Sequence, residues 1–131
     1  MSQIDQIESI LNQSKENHWP YTKTFAALEE AGVTSYEVKL ANYEATYFCP
    51  SGKLEEPAPK YFQLPTVAEF FSEVAVKEAL IRHQKAQTNY VEWIAETAAA
   101  GVSHYRVNMK DRIVTYYDKD ERHSVIESIP V

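Results

Sequence analysis

The sequence predicts an α+β domain, an antiparallel sheet with helices packed on one face. Three observations carry that reading. The segment Ala31-Gly32-Val33-Thr34-Ser35-Tyr36-Glu37-Val38 returns as Ala100-Gly101-Val102-Ser103-His104-Tyr105-Arg106-Val107, at an offset of 69 residues. After each glycine, apolar and polar residues alternate with the two-residue period of a strand that buries one side. Before each glycine, apolar residues recur at helical spacing. Each copy therefore reads as helix, helix, strand, strand, strand, and the pair is compatible with a pseudo-two-fold axis.

The elements follow in chain order. A first helix, about 2–14, carries Ile4, Ile7 and Leu11 on one stripe, with Ser2 and Asp5 spaced as a cap. A second helix opens at Pro20, carries Tyr21, Phe25 and Leu28, and stops at Gly32, where a left-handed backbone favours glycine. A hairpin turning through Ala41-Asn42 pairs Leu40 with Tyr43, Val38 with Ala45 and Tyr36 with Tyr47, leaving Lys39 opposite Glu44 on the other face. Residues 50–59 read as an irregular loop holding four extra residues, and Tyr61–Pro65 as the third strand of the first copy.

The second copy opens with a helix over about 66–84. Thr66 and Glu69 stand at capping-box spacing, and Val67, Phe70, Phe71, Val74 and Ile81 form its stripe. Tyr90, Ile94 and Thr97 mark the helix ending at Gly101. A hairpin through Lys110-Asp111 pairs Met109 with Arg112, Val107 with Val114 and Tyr105 with Tyr116. The last strand runs from His123 to Ile129. Residues 21–48 laid over 90–117 share nine identities, where chance gives about two. Half of the chain is too small to be comfortable alone, so residues 1–131 read as one domain, with repeats at about 2–65 and 66–131.

Composition narrows the function. The 131 residues are 44% apolar and 24% charged, which suits a folded core rather than a disordered chain. The net charge of −6 argues against a general nucleic-acid binder. No apolar run is long enough for a membrane helix and the N-terminus lacks a signal-peptide pattern, so the expected location is the cytoplasm. The lone Cys49 excludes an internal disulfide and reads as a buried structural thiol. His18, His83, His104 and His123 show no metal-binding spacing, and three glycines are too few for a nucleotide cradle. No metal and no cofactor is expected.

The polar face of the predicted sheet is the expected functional surface. It holds His104, Arg106 and Tyr117 with Ile113 in the second copy, and Glu37 with Phe48 in the first. Aromatic residues beside arginine are enriched in binding hot spots. The expectation is a non-catalytic protein that binds a partner or a small ligand, or pairs with a second copy, through this face. One alternative is a small enzyme with a shallow site of His104, Arg106 and Tyr117. Trp19 reads as packing between helices, and Asp118-Lys119-Asp120-Glu121-Arg122 as a solvated hairpin tip.

Several segments also carry a family likeness: Phe25–Val33 with Tyr36-Glu37-Val38, Ala45–Phe48, Ala100-Gly101-Val102 through Tyr105-Arg106-Val107, Tyr116-Tyr117 and Glu127–Pro130. Through them the chain resembles the YbcV-like family of uncharacterised bacterial and prophage-associated proteins, sometimes labelled phage envelope protein. The resemblance implies a phage-derived structural component as a second alternative, and it supplies no activity or site residues.

Overall fold

The computed structural model describes residues 2–58, 64–85, 87 and 90–129. Ser2 caps the first helix, α1 (Gln3–Asn17), by accepting a hydrogen bond from the Asp5 amide, and Ile7 and Leu11 are buried beneath it. Helix α2 (Tyr21–Glu30) starts after Pro20 and buries Phe25 and Leu28. It ends where Gly32 takes φ +100 and the Val33 amide returns to the Leu28 carbonyl. Strands β1 (Ser35–Lys39), β2 (Ala45–Cys49) and β3 (Gly52–Glu56) follow. Helices α3 (Glu73–Gln84) and α4 (Tyr90–Ala99) then lead to β4 (His104–Asn108), β5 (Ile113–Tyr117) and β6 (Ser124–Ser128).

Both hairpins have the register read from their alternation: Tyr36 opposite Tyr47, Val38 opposite Ala45, Tyr105 opposite Tyr116 and Val107 opposite Val114. A slip of one residue would turn every tyrosine outward. The six strands form one antiparallel sheet in the order β3-β2-β1-β4-β5-β6, so β1 and β4 join the two halves at its centre. Val38, Val107, Tyr105 and Tyr116 lie on the buried face beneath the helices.

Four expectations are corrected. The hairpins, read as two-residue turns in which Asn42 and Asp111 would take positive φ, place it instead on Tyr43 (52°) and Arg112 (54°). Asn42 instead accepts from the Glu44 amide, and Asp111 is held by Asn108.

The supposed loop at 50–59 contains β3, reached through a two-residue turn at Pro50-Ser51. Tyr47 and Tyr116 are 69 residues apart but Leu54 and Val125 are 71, so residues 21–58 have two fewer residues there, not four more. β3 is an edge strand with one apolar residue, Leu54, so it carries almost no alternation to read. Of the strand placed at Tyr61–Pro65, residues 61–63 lie outside the described residues, and Leu64 and Pro65 are not in a strand.

The helix placed over 66–84 begins only at Glu73, capped by the Ser72 side chain on the Ala75 amide. Residues before it run along the end of α4, where the Ala68 and Ser72 amides donate to the Ala98 and Ala100 carbonyls. The stripe is also different: Phe70 and Val74 are 81% and 67% exposed, and Val76, Ala79 and Leu80 are buried instead. Shifting α1 by the offset of 69 gives 72–86, and places Ile7 and Leu11 on Val76 and Leu80.

Finally, Cys49 is half-buried rather than buried, its thiol donating to the Gly52 carbonyl in the β2–β3 turn at 3.4 Å.

Candidate functional site

The covered face of the sheet is built from two rows of side chains that run across all six strands. Strand register puts Leu54, Tyr47, Tyr36, Val107, Val114 and Glu127 in one row. The other row is Glu56, Ala45, Val38, Tyr105, Tyr116 and Val125. Read from opposite edges, the rows have the same pattern: a glutamate, two small residues, two tyrosines and an aliphatic residue. Small residues therefore lie beside tyrosines on both diagonals, and space opens above the small ones.

That space is a cavity of about 670 Å³ between sheet and helices, lined from every strand and from α1 to α4. Close-packed interiors hold few voids larger than a water molecule. The walls are aromatic. Tyr36 stacks on Tyr47 at 5.1 Å, while Trp93 lies 6.0 Å from Tyr105 and meets Tyr116 edge-on at 6.0 Å. His83 stacks on Trp93 at 4.9 Å. Trp19, half-buried at the other end, lies under the Lys23 ammonium at 4.3 Å.

The ends are polar and differ chemically. At one, Glu56 is ion-paired with Lys15 at 3.2 Å, and the Ser14 and Thr24 hydroxyls are 2.6 Å apart. At the other, Glu127 accepts from the Tyr116 hydroxyl at 2.8 Å and from the Gln84 amide.

On the open face, the predicted surface residues are partly brought together. Pairing of β1 with β4 places Glu37 opposite Arg106, whose Nε donates to Glu37 Oε2 at 2.7 Å. Arg106 also pairs with Glu121 at 2.8 Å and covers the Tyr117 ring at 5.1 Å. His104 stacks on Tyr117 at 5.3 Å and reaches Glu121 at 3.3 Å. The hydrogen bond from His104, with the charge of Arg106 next, holds the Glu121 carboxyl below its usual value. Glu37 holds the Arg106 guanidinium further towards its charged form. Phe48 and Ile113 lie apart from this cluster, in the row Phe48, Ser35, Asn108, Ile113, two strands between them.

The charged tip is exposed, as read, and is also tied to itself. Asp118 accepts from the Arg122 and His123 amides and from the His123 ring at 2.9 Å. Among the described residues no three His, Cys, Asp or Glu side chains gather to hold a metal ion, and no helix is long and apolar enough to cross a membrane.

Sequence reasoning missed the cavity and both glutamates. Tyrosines at strand spacing read as core filler, and Glu56 lay in a segment read as loop. The signal for Glu127 was present: it shares the parity of Val125, so it points to the covered face.

A family model describing a protein of unknown function, DUF1398, matches residues 8–128. The chain belongs to the DUF1398 family. No curated protein matches it. Both glutamates, the tyrosine rows and Trp93 of this DUF1398 protein fall inside the matched region. The family description names no activity, so function rests on the cavity.

Proposed function

We propose that this DUF1398 protein holds a small, elongated, mainly apolar molecule in the cavity between its helices and its sheet. The observation that carries the reading is a partly open cavity of about 670 Å³ in a 131-residue chain, within the size range of small-molecule sites. Its lining crosses six strands, roughly 24 Å at ordinary strand spacing, so the volume is a passage rather than a round chamber. The lining is predominantly apolar, with polar groups gathered at the ends. On this reading the chain is one domain, a duplicated unit whose halves each supply one glutamate-ended row. The likeness to YbcV-like proteins supplies no activity, and nothing in the composition speaks for a place in a virion.

The test is a titration with N-phenylnaphthylamine, whose emission rises in apolar surroundings. Wild-type protein should bind it saturably, and Val107→Phe, which fills the passage floor, should abolish binding while the protein stays folded. Absence of saturable binding by the wild type would refute the proposal.

A second reading places a protein partner, or a second copy, on the open face. The exposure of Phe48 and Ile126 favours it. Against it, Glu37, Arg106 and Glu121 already satisfy one another there. A small enzyme around His104 has its hydrogen-bonded Glu121, but the cavity lies on the opposite side of the sheet.

A further inference from the structure

The two ends of the cavity are counterparts, and the charge that Lys15 brings to one is not matched by Gln84 at the other. Glu56 and Glu127 each end a row on the covered face, beside the small pairs Ala45–Val38 and Val114–Val107. A half-buried carboxylate at the rim of an apolar cavity attracts a positive charge. Glu56 has it from the Lys15 ammonium, carried by α1. The residue 69 positions after Lys15 is Gln84, at the end of α3, and it contacts Glu127 as Lys15 contacts Glu56. Gln84 and Tyr116 give Glu127 hydrogen bonds but no positive charge, and among the described residues Glu127 has no ion-pair partner.

The neighbouring walls suit a cation. Trp93, Tyr105 and Tyr116 cluster within about 6.0 Å of one another, and the faces of such rings attract ammonium groups. The molecule as a whole is acidic, at −6, which favours positively charged ligands over anions.

We propose that the cavity ligand is an apolar organic cation, an amine or quaternary ammonium, whose charged group sits at Glu127 beside Tyr116. The ligand supplies there the charge that Lys15 supplies to Glu56 from within the chain. The inference rests on the cavity-binding reading, and the experiment separates the two.

Decyltrimethylammonium, decanol and decanoate, each below its aggregation threshold, compete against N-phenylnaphthylamine on the full chain. Decyltrimethylammonium should bind about tenfold tighter than decanol, and decanoate weakest. Glu127→Gln keeps an acceptor for Tyr116 and should remove the tenfold preference, with decanol still binding saturably. Gln84→Lys should do the same by building an internal ion pair, and saturable decanol binding shows that the cavity is intact. Equal affinities for the three competitors, tighter decanoate, or a preference that survives both substitutions would overturn the cationic ligand and leave the cavity reading standing. If the fluorophore fails to bind wild-type protein, the cavity reading falls and this inference falls with it.

Discussion

Glu37 and Arg106 stand 69 residues apart in the chain and directly opposite one another in the central strand pair, their side chains 2.7 Å apart. They are the residues that the offset of 69 superimposes, at the middle of the central strand pair. Two copies of β1 paired in this register would set Glu37 against Glu37, and two copies of β4 would set Arg106 against Arg106. Like charges directly opposite are unfavourable, so the pair selects β1 with β4. A cycle of Glu37→Gln and Arg106→Gln in urea unfolding should show a coupling of about 0.2–1 kcal/mol that shrinks as salt is added, since both groups are partly exposed. Strictly additive effects at low salt would show that the pair does nothing for the fold.

The two helix-ending glycines differ in what surrounds them. Both have positive φ, which costs an alanine about 1–2 kcal/mol. A Cβ on Gly101 would meet backbone, the Phe70 carbonyl oxygen and, at 2.6 Å, Phe71 Cα. A Cβ on Gly32 would meet only the Gln3 side chain. Gly101→Ala should therefore lower the thermal midpoint further than Gly32→Ala. Gln3→Ala should recover part of the loss at Gly32, and no side-chain truncation should recover the loss at Gly101. Equal losses would mean that segment 64–72 does not lie against the end of α4.

The β5–β6 connection should loosen in acid. The His123 ring bond, opposed by some burial and joined by the His123 and Arg122 amides, holds the Asp118 carboxyl below its ordinary value. A depressed folded-state value stabilises the loop fully above the unfolded value, and that contribution is lost as pH falls through the folded one. Glu121, lowered by His104, acts in the same direction. Amide exchange at Arg122 and His123 should therefore speed up, relative to strand amides, below the usual carboxylate range. Asp118→Asn should show the faster exchange already at neutral pH and lose the acid response. A loop whose protection is flat with pH in the wild type would contradict the Asp118 assignment.

Filling the cavity should cost little. Adding bulk to a close-packed core usually costs about 1–3 kcal/mol. Val107→Phe adds bulk at a fully covered position that borders open space, so its cost should stay below about 1 kcal/mol. A larger loss in denaturant unfolding would mean that the helices sit closer to the sheet than described.

Both hairpins were legible because alternation over Tyr36–Leu40 and Tyr105–Met109 allows one register only, and Gly32 and Gly101 mark helix ends by their backbone. β3 was not, since an edge strand with only Leu54 facing inward leaves no pattern. α3 was misplaced because Val67, Phe70, Phe71 and Val74 mimic a helical stripe while lying in an extended segment and on an exposed turn. Carrying the repeat offset back to Ile7 and Leu11 would have placed it. The cavity was illegible for a deeper reason: periodicity tells which face of a strand is covered, not whether the cover fills the space above it. The open-face cluster lay between these cases. Each residue was assigned to its face, but the pairing of β1 with β4 that joins Glu37 to Arg106 leaves no local trace in either strand.

A crystal of the protein pressurised with xenon tests the central claim most directly. Xenon occupies apolar space that protein atoms leave open. The account predicts ordered xenon over Val107 and Val114, walled by Tyr36, Tyr105 and Trp93, with the backbone unmoved. Helices closed down on those valines, with xenon absent between helices and sheet, would contradict it.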